Sequence, residues 1–290
     1  MSRKKKFPKP FDLAHSIMFN EFPEEYTKII GVPGEFVKVI NRRVHLKDGT
    51  TGEMDSAYIA DPDFKTLFEK VAVGLEHQSK PVDDFKLNTI GNYDIQLVVD
   101  EHLPTLLVVA SHLKEEKSKN LLIRSPSDIT KIYFLNLGEE NIYERLNNLK
   151  RKLKNNNELN TEDALNLGVI ALYTPRENAC ETIGSVVNIY TEIVDDLDYK
   201  MEFVLYSVIT LMIDAFFEDE NEYLRLSDMI DNNTSNESIV KLASFEELKK
   251  SLDYAHEDLA AANEDLAAAN DKIADLEAEN KRLKEELDAK

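Results

Sequence analysis

Two acidic residues accompany neighbouring apolar runs of the chain, where their carboxylates could bind a metal ion. Asp55 lies in the run 54–60, and Glu76 directly follows the run 71–75. A buried carboxylate destabilises the folded state by several kcal/mol unless it is paired or binds a metal. Metal-dependent phosphodiester cleavage uses such acids together with a group that orients or activates water. If the two runs are paired strands, the acids could share one ion; the spacing alone equally fits polar residues at the edge of a sheet.

The residues that follow Glu76 divide between the two faces of the predicted strand. Side chains alternate along a strand, so Gln78 shares the face of Glu76, whereas His77 points to the opposite face. We therefore expect His77 to pack against the core. Lys86 and Tyr93 lie on the helix predicted next, seven residues apart and on one face. Without further information, Lys86 fits a solvated lysine and Tyr93 fits a tyrosine at the edge of the core.

The elements that must position these residues predict an α/β core. Helical spacing covers 12–30, with a new turn at Pro23, then about 81–99 and about 140–154. Strand patterns cover 36–40, 44–46, 54–60, 71–77 and 131–135, and the apolar run 105–111 is typical of a strand covered on both faces. This order indicates a mixed sheet flanked by helices.

The second half of the chain is predicted to be helical and to end in a coiled coil. Helices are expected from Thr161, over about 177–195 and over about 199–218, followed by a polar linker at 231–238. The motif EDLAAAN occurs twice in tandem, and apolar residues and Asn280 recur every seven residues: Leu252, Leu259, Leu266, Ile273, Asn280 and Leu287. This heptad favours a homodimeric coiled coil over 244–290, and Asn280 favours a parallel register. The alternative is a single solvated amphipathic helix.

Composition limits the class of protein. The chain has 290 residues, a net charge of −20 and one cysteine, Cys180, so an intramolecular disulfide is excluded. We expect a cytoplasmic protein in which Cys180 is a buried structural residue. The basic N-terminal segment lacks the apolar run of a secretory signal. The apolar segment 201–217 contains Glu202 and Asp214, and it predicts a core helix and no membrane association.

Three stretches of the chain carry a family resemblance: the segment GLEHQSKPVDDFKLNTIGNYDIQLVV, the strand LPTLLVVASH and the later stretch YERLNNLKRKLKNNNELNTEDALNLGVIALYTPRENA. Together they resemble the PD-(D/E)XK nuclease family transposase proteins and the related recombination-promoting nuclease (Rpn) group. The resemblance covers about 12–220 and leaves out the coiled coil. It implies a restriction-endonuclease-like core at 12–155, followed by a helical segment at 156–230.

The resemblance also implies roles for individual residues. Asp55 and Glu76 match the acids that bind Mg²⁺, and Gln78 stands where the wider superfamily has a lysine. Gln78 would orient the water or the phosphate, and Lys86 would supply the positive charge that a glutamine lacks. Some relatives add an acid from the first helix; four residues remain candidates for it here: Asp12, Glu21, Glu24 and Glu25.

The expected function is therefore that of a hydrolase, a Mg²⁺-dependent DNA endonuclease with a link to recombination or mobile elements. The net charge of −20 works against non-specific DNA binding, although bases cluster at 3–6, 42–43 and 150–154. The alternative is a catalytically degenerate nuclease-like core that acts through its coiled coil as an interaction or scaffold module.

Overall fold

The structure is a computed structural model of the chain. It describes residues 7, 9–45, 51–63, 68–113, 118–125, 128–155, 157–244 and 272. Apart from 244 and 272, the predicted coiled coil lies outside these residues, so the heptad prediction stays a prediction.

A mixed five-stranded sheet forms the centre of the fold, in the order β1-β4-β5-β6-β9. The strands are β1 (Glu35–Val39), β2 (Arg43–His45), β3 (Thr51–Glu53), β4 (Ser56–Asp61), β5 (Val71–His77), β6 (Thr105–Ser111), β7 (Leu121–Ser125), β8 (Asp128–Lys131) and β9 (Tyr133–Asn136). β1, β4 and β5 pair antiparallel, whereas β5, β6 and β9 pair parallel. The predicted α/β class with a mixed sheet is confirmed.

Helices cover both faces of this sheet. They are α1 (Pro10–Glu21), α2 (Pro23–Ile30), α3 (Asp84–Glu101), α4 (Glu139–Lys154), α5 (Thr161–Tyr173), α6 (Ala179–Ile193), α7 (Tyr199–Phe216) and α8 (Glu220–Asp231). α3 connects the parallel strands β5 and β6 and covers one face, where a small core includes Leu87, Ile90 and Leu97. The other helices build the large core on the opposite face, against side chains such as Val73 and Leu75.

The alternation of side chains along β5 explains this division. Val71, Val73 and Leu75 belong to the large helical core. The residues between them face α3, and a Cβ at Gly74 would lie 3.0 Å from both the Leu107 and the Met54 side chains. β5 is buried over its whole length because both of its faces are covered. This places Glu76 on the α3 side and His77 on the side of the large core.

Helix ends agree closely with the predictions, with small shifts. The first helical stretch divides at Phe22, and Pro23 begins α2 as expected. α3 begins after Asp83, whose side chain accepts a hydrogen bond from the Lys86 amide. α5 is capped by Asn160, one residue before the predicted cap, in a reciprocal box with Asp163. These caps satisfy amides that the first helical turn leaves without partners.

Several features differ from the sequence prediction, among them β3, where no strand was predicted. The strand predicted at 131–135 is two strands, β8 and β9, which are separated by the buried Ile132; β8 forms a hairpin with β7, which the sequence did not indicate. α8 lies at the end of the helical segment expected at 156–230, although no separate helix was predicted there. The prediction that Cys180 is buried is wrong: Cys180 is exposed, because Ala179 and Ile183 occupy the buried side of α6.

The polar linker expected at 231–238 is a packed turn followed by a helix at 236–244. The Ser235 amide donates to Glu202 at 2.6 Å, and the Thr234 hydroxyl lies 2.8 Å from the Tyr190 hydroxyl. Leu242 is buried at the end of this stretch. The stretch that precedes the predicted coiled coil therefore packs against the core.

The apolar segment 201–217 lies mainly in α7, whose side chains are buried among the other helices as predicted. Among the described residues, no helix combines the length and apolar character needed to cross a membrane.

Candidate active site

The register of β4 and β5 brings the two predicted acids to the same end of neighbouring strands. Ser56 pairs with Leu75, so Asp55 and Glu76 are the next residues along the two strands. Asp55 lies at a bend just before β4. Its Oδ2 atom accepts a hydrogen bond of 2.7 Å from the backbone N–H of His77. The carboxylate of Asp55 is thus attached to the strand that carries Glu76.

Glu76 is buried beneath α3 and is paired with Lys86. The Lys86 Nζ atom donates to Glu76 Oε2 at 2.6 Å; the Glu76 side chain is 4% exposed and that of Lys86 is 29% exposed. The cap of α3 determines where Lys86 lies, because the Lys86 amide donates to Asp83 Oδ1 at 2.8 Å. Lys86 is therefore part of the site rather than a fully solvated lysine.

The second carboxylate oxygen of Glu76 has no such partner. Oε1 is buried and accepts no hydrogen bond from any group that the structure describes. Burial, and after it the negative charge of Asp55, raise the pKa of Glu76 to about 8, although Lys86 acts in the opposite direction. A buried acceptor without a partner is costly, and it indicates a place where a cation or a proton would be favoured.

The acids that lie near Lys86 affect its pKa. Burial lowers the pKa of Lys86, but the attraction of Glu76, of Asp55 and of Asp12 outweighs burial, and the pKa is raised. Asp12 belongs to the first turn of α1. Of the four upstream acids that the sequence left open, Asp12 is the one whose charge acts on this lysine, and Glu21 instead pairs with Lys241.

Gln78 comes directly after β5 and is held by its backbone. Its N–H donates to the Ala110 carbonyl at 3.0 Å, and its carbonyl accepts from the Ser111 hydroxyl at 2.6 Å. Its side chain is half-buried. Within the described part of the chain, the side-chain amide makes no hydrogen bond. Gln78 is thus at the same strand end as the acids, without a hydrogen bond to them among the described residues.

His77 faces away from the acids, as the strand alternation predicts. Its ring lies 6.0 Å from the Phe11 ring and 5.1 Å from the Tyr173 ring, measured between centroids. Burial, followed by the neighbouring His15 and His112, lowers the pKa of His77, so its ring is neutral. This geometry agrees with a packing role.

Tyr93 approaches the site from the next turns of α3. Its hydroxyl donates to the Glu53 carbonyl at 3.3 Å. Burial, and then the charges of Glu76 and Asp55, raise the pKa of Tyr93. The hydroxyl is therefore close enough to sense both acids, but it already has a partner.

Asp55 and Glu76 are the two acids that could hold a metal here. Among the described residues, no group of three or more His, Cys, Asp or Glu side chains is arranged to hold an ion. Mg²⁺ is commonly bound through one or two carboxylates, several waters and the phosphates of a substrate, so a pair of acids fits this ion.

Comparisons with known proteins add nothing to this assignment: no family model, no curated protein and no solved structure matches the chain.

A buried polar network behind the site was not indicated by the sequence analysis. His15 bonds to Ser56 and to Tyr26, and Tyr26 bonds to Tyr173. All four side chains are buried. The available signal was a histidine at an apolar position of α1, which does not reveal partners that are far away in the chain.

Proposed function

We propose that the protein is a metal-dependent DNA endonuclease of the PD-(D/E)XK type. One observation carries the proposal: the buried Glu76 carboxyl group pairs with Lys86 through one oxygen, leaves the other without a partner, and lies beside Asp55. Two acids and a lysine at one strand end are the groups that the sequence resemblance assigns to the reaction.

The residues fit a divalent ion. Glu76 and Asp55 would hold it, and the orphaned Glu76 Oε1 atom is a ready ligand. When bound, Mg²⁺ supplies a water of lowered pKa and neutralises charge on the scissile phosphate.

Lys86 and Gln78 would act on the substrate. Lys86 is 29% exposed and stays charged, so its ammonium can approach a phosphate while it remains near Glu76. Gln78 would orient the attacking water or a phosphate oxygen with its amide. Asp12, at the start of α1, is the candidate for the additional acid.

DNA as substrate, and a role in recombination or mobile elements, rest on the sequence resemblance. A parallel coiled-coil homodimer over 244–290 would bring two sites together, which suits cleavage of both strands. The net charge of −20 means that binding would depend on local basic groups.

The alternative function is a degenerate nuclease-like core that serves as a coiled-coil interaction module. It is favoured by the ion pair that already occupies Glu76 Oε2, and by glutamine at the position of the superfamily lysine. Under this alternative, the Lys86–Glu76 pair stabilises the fold and performs no chemistry.

Nicking of supercoiled plasmid by the purified protein, with Mg²⁺ or Mn²⁺ and with EDTA, separates the two functions. We expect cleavage that requires the divalent ion and that is lost in Asp55→Ala and Glu76→Ala. Glu222→Ala, at an exposed acid of α8, is the matched control and should cleave as the wild-type protein does.

Cleavage that persists at full rate in both Asp55→Ala and Glu76→Ala would remove these residues from the active site. A folded wild-type protein that cleaves with none of the tested ions would favour the interaction module.

A further inference from the structure

The buried polar network on the helical side of the sheet reaches the residue next to Asp55. His15 of α1 is fully buried; its Nε2 atom lies 3.0 Å from Ser56 Oγ and its Nδ1 atom lies 2.9 Å from the Tyr26 hydroxyl. The Tyr26 hydroxyl lies 3.1 Å from that of Tyr173. The bridge thus connects α1, α2 and α5 to the first residue of β4.

Such a bridge is an unusual way to fill a core. The His15 ring lies beside the rings of Phe19, Tyr26 and His77, and a leucine or phenylalanine at this position would bring no polar atom to satisfy. A buried polar network whose members are bonded fixes one geometry, because each member can bond only in a narrow range of positions. The network therefore specifies where Ser56 lies more narrowly than apolar packing would.

The position of Ser56 determines the position of Asp55. The two residues are adjacent, and Ser56 faces the large core whereas Asp55 lies toward the α3 side. Asp55 lies at a bend before β4, where the ladder between β4 and β5 begins only with the Ser56–Leu75 pair. From the front, its carboxylate is held by the His77 N–H. On the other face of the sheet, the start of β4 is held by the hydrogen bond between His15 and Ser56.

We propose that His15 is a positioning residue for the candidate active site, which holds the Asp55 carboxylate in place by bonding Ser56 from behind the sheet. The proposal uses the proposed function only in naming Asp55 as a metal ligand. The geometric part, that the His15–Ser56 bond fixes the contact between Asp55 and the His77 amide, stands independently of any reaction.

The His77 amide reports the contact with Asp55, and Ser56→Ala tests it most directly because the His15 ring itself lies 6.1 Å from the His77 ring. In Ser56→Ala, which removes only one oxygen atom, we expect the His77 amide proton to shift upfield and to exchange faster with solvent. TROSY NMR and hydrogen exchange measure both. Ser207→Ala, which removes a fully buried hydroxyl of α7 outside the network, is the matched control and should leave this amide unchanged.

Metal binding gives the second readout. Mn²⁺ titration by calorimetry should show about 10- to 100-fold weaker binding in Ser56→Ala, the range typical for loss of a group that orients a ligand. His15→Leu should show the same loss. The double variant should be no worse than either single variant, because all three lack the same bridge.

The outcomes keep the two proposals apart. An unchanged His77 amide in a folded Ser56→Ala variant overturns the positioning role, as do single-variant losses of Mn²⁺ affinity that multiply in the double variant. A wild-type protein that binds no Mn²⁺ and cleaves no DNA contradicts the proposed function. In that case a shifted His77 amide in Ser56→Ala would still support the positioning role.

Discussion

At Glu76, the positive charge of Lys86 opposes the effects of burial and of Asp55 on the carboxyl group. This carboxyl group is desolvated beneath α3 and lies near the negative Asp55, and both effects favour the protonated form. Lys86 favours the ionised form through its 2.6 Å contact. A divalent ion would add to the effect of Lys86, so the site is suited to exchange a proton for a metal ion.

The pH dependence of stability tests this balance at the residue scale. The pKa of Glu76 rises from 4.5 to about 8 on folding, so the folded state keeps a proton that the unfolded state releases between these values. The contribution of this group to the free energy of unfolding is fully present below pH 4.5. It is lost as pH rises toward 8, at most by about 1.4 kcal/mol per pH unit. Glu76→Gln should remove this loss in urea unfolding series recorded with EDTA. Parallel curves for wild type and variant would contradict the assignment.

Lys86 and Lys119 provide a matched pair of lysines near the start of α3. Lys86 pairs with the buried Glu76, whereas Lys119 pairs with the exposed Asp84. If Lys86 stabilises charge on the phosphate, Lys86→Met should lower kcat for metal-dependent cleavage by roughly 10²–10³-fold, the usual effect of removing one such donor. Lys119→Met should leave kcat as it is. Equal rates for both variants would assign Lys86 a structural role.

At the scale of elements, the site depends on how closely α3 approaches β5. Gly74 allows this approach: a Cβ there would lie 3.0 Å from Leu107 and Met54 and 3.3 Å from Leu97. α3 carries Lys86 and Tyr93, so any displacement of the helix moves both relative to Glu76. The glycine therefore connects core packing to the geometry of the site.

Gly74→Ala should destabilise the protein by about 1–3 kcal/mol, because the extra methyl group overpacks the layer between β5 and α3. Gly184→Ala is the control. No atom lies within 4 Å of its added Cβ, and in the interior of α6 alanine should stabilise by roughly 0.5–1 kcal/mol. Urea unfolding midpoints measure both changes. A Gly74→Ala variant as stable as the wild type would mean that the layer between β5 and α3 accommodates the added methyl group without strain.

At the scale of the whole molecule, the helix at 236–244, which precedes the predicted coiled coil, is held to the core by several contacts. Lys241 pairs with Glu21 of α1, and its ammonium lies 3.8 Å from the centroid of the Phe203 ring of α7. With the buried Leu242, these contacts hold the stretch 236–244 on the helical side of the sheet. A coiled coil that continues from it would start from a defined point on the core.

Sedimentation of the full chain and of a chain ending at Ser244 tests the dimer. The full chain should sediment as a dimer because its heptad repeat buries an apolar stripe between two helices. The shortened chain should be a monomer. A far-UV circular dichroism spectrum that retains the helix content of the core would show that the shortened chain is folded. The same oligomeric state for both chains would contradict the coiled-coil prediction.

Local patterns were sufficient for most of the fold. The apolar runs of β5 and β6, and the start of α2 at Pro23, follow from periodicity and from backbone restrictions on proline. The hairpin of β7 and β8 was missed because its outward residues, including Ile123 and Ile129, are apolar yet exposed. The bounds of α8, at the end of the helical segment expected at 156–230, were not predicted because its sequence is strongly polar and only Leu226 and Ile230 are buried.

The sequence by itself determined that two acids accompany strand patterns, that His77 faces away from Glu76, and that a heptad repeat occupies 244–290. These properties depend on neighbours in sequence, where spacing fixes the face. Only the tertiary structure decided that Lys86 reaches Glu76, that Asp12 rather than Glu21 acts on Lys86, and that His15 bonds to Ser56 next to Asp55. Those contacts join distant segments, and their distances are set by how the helices and the sheet pack together.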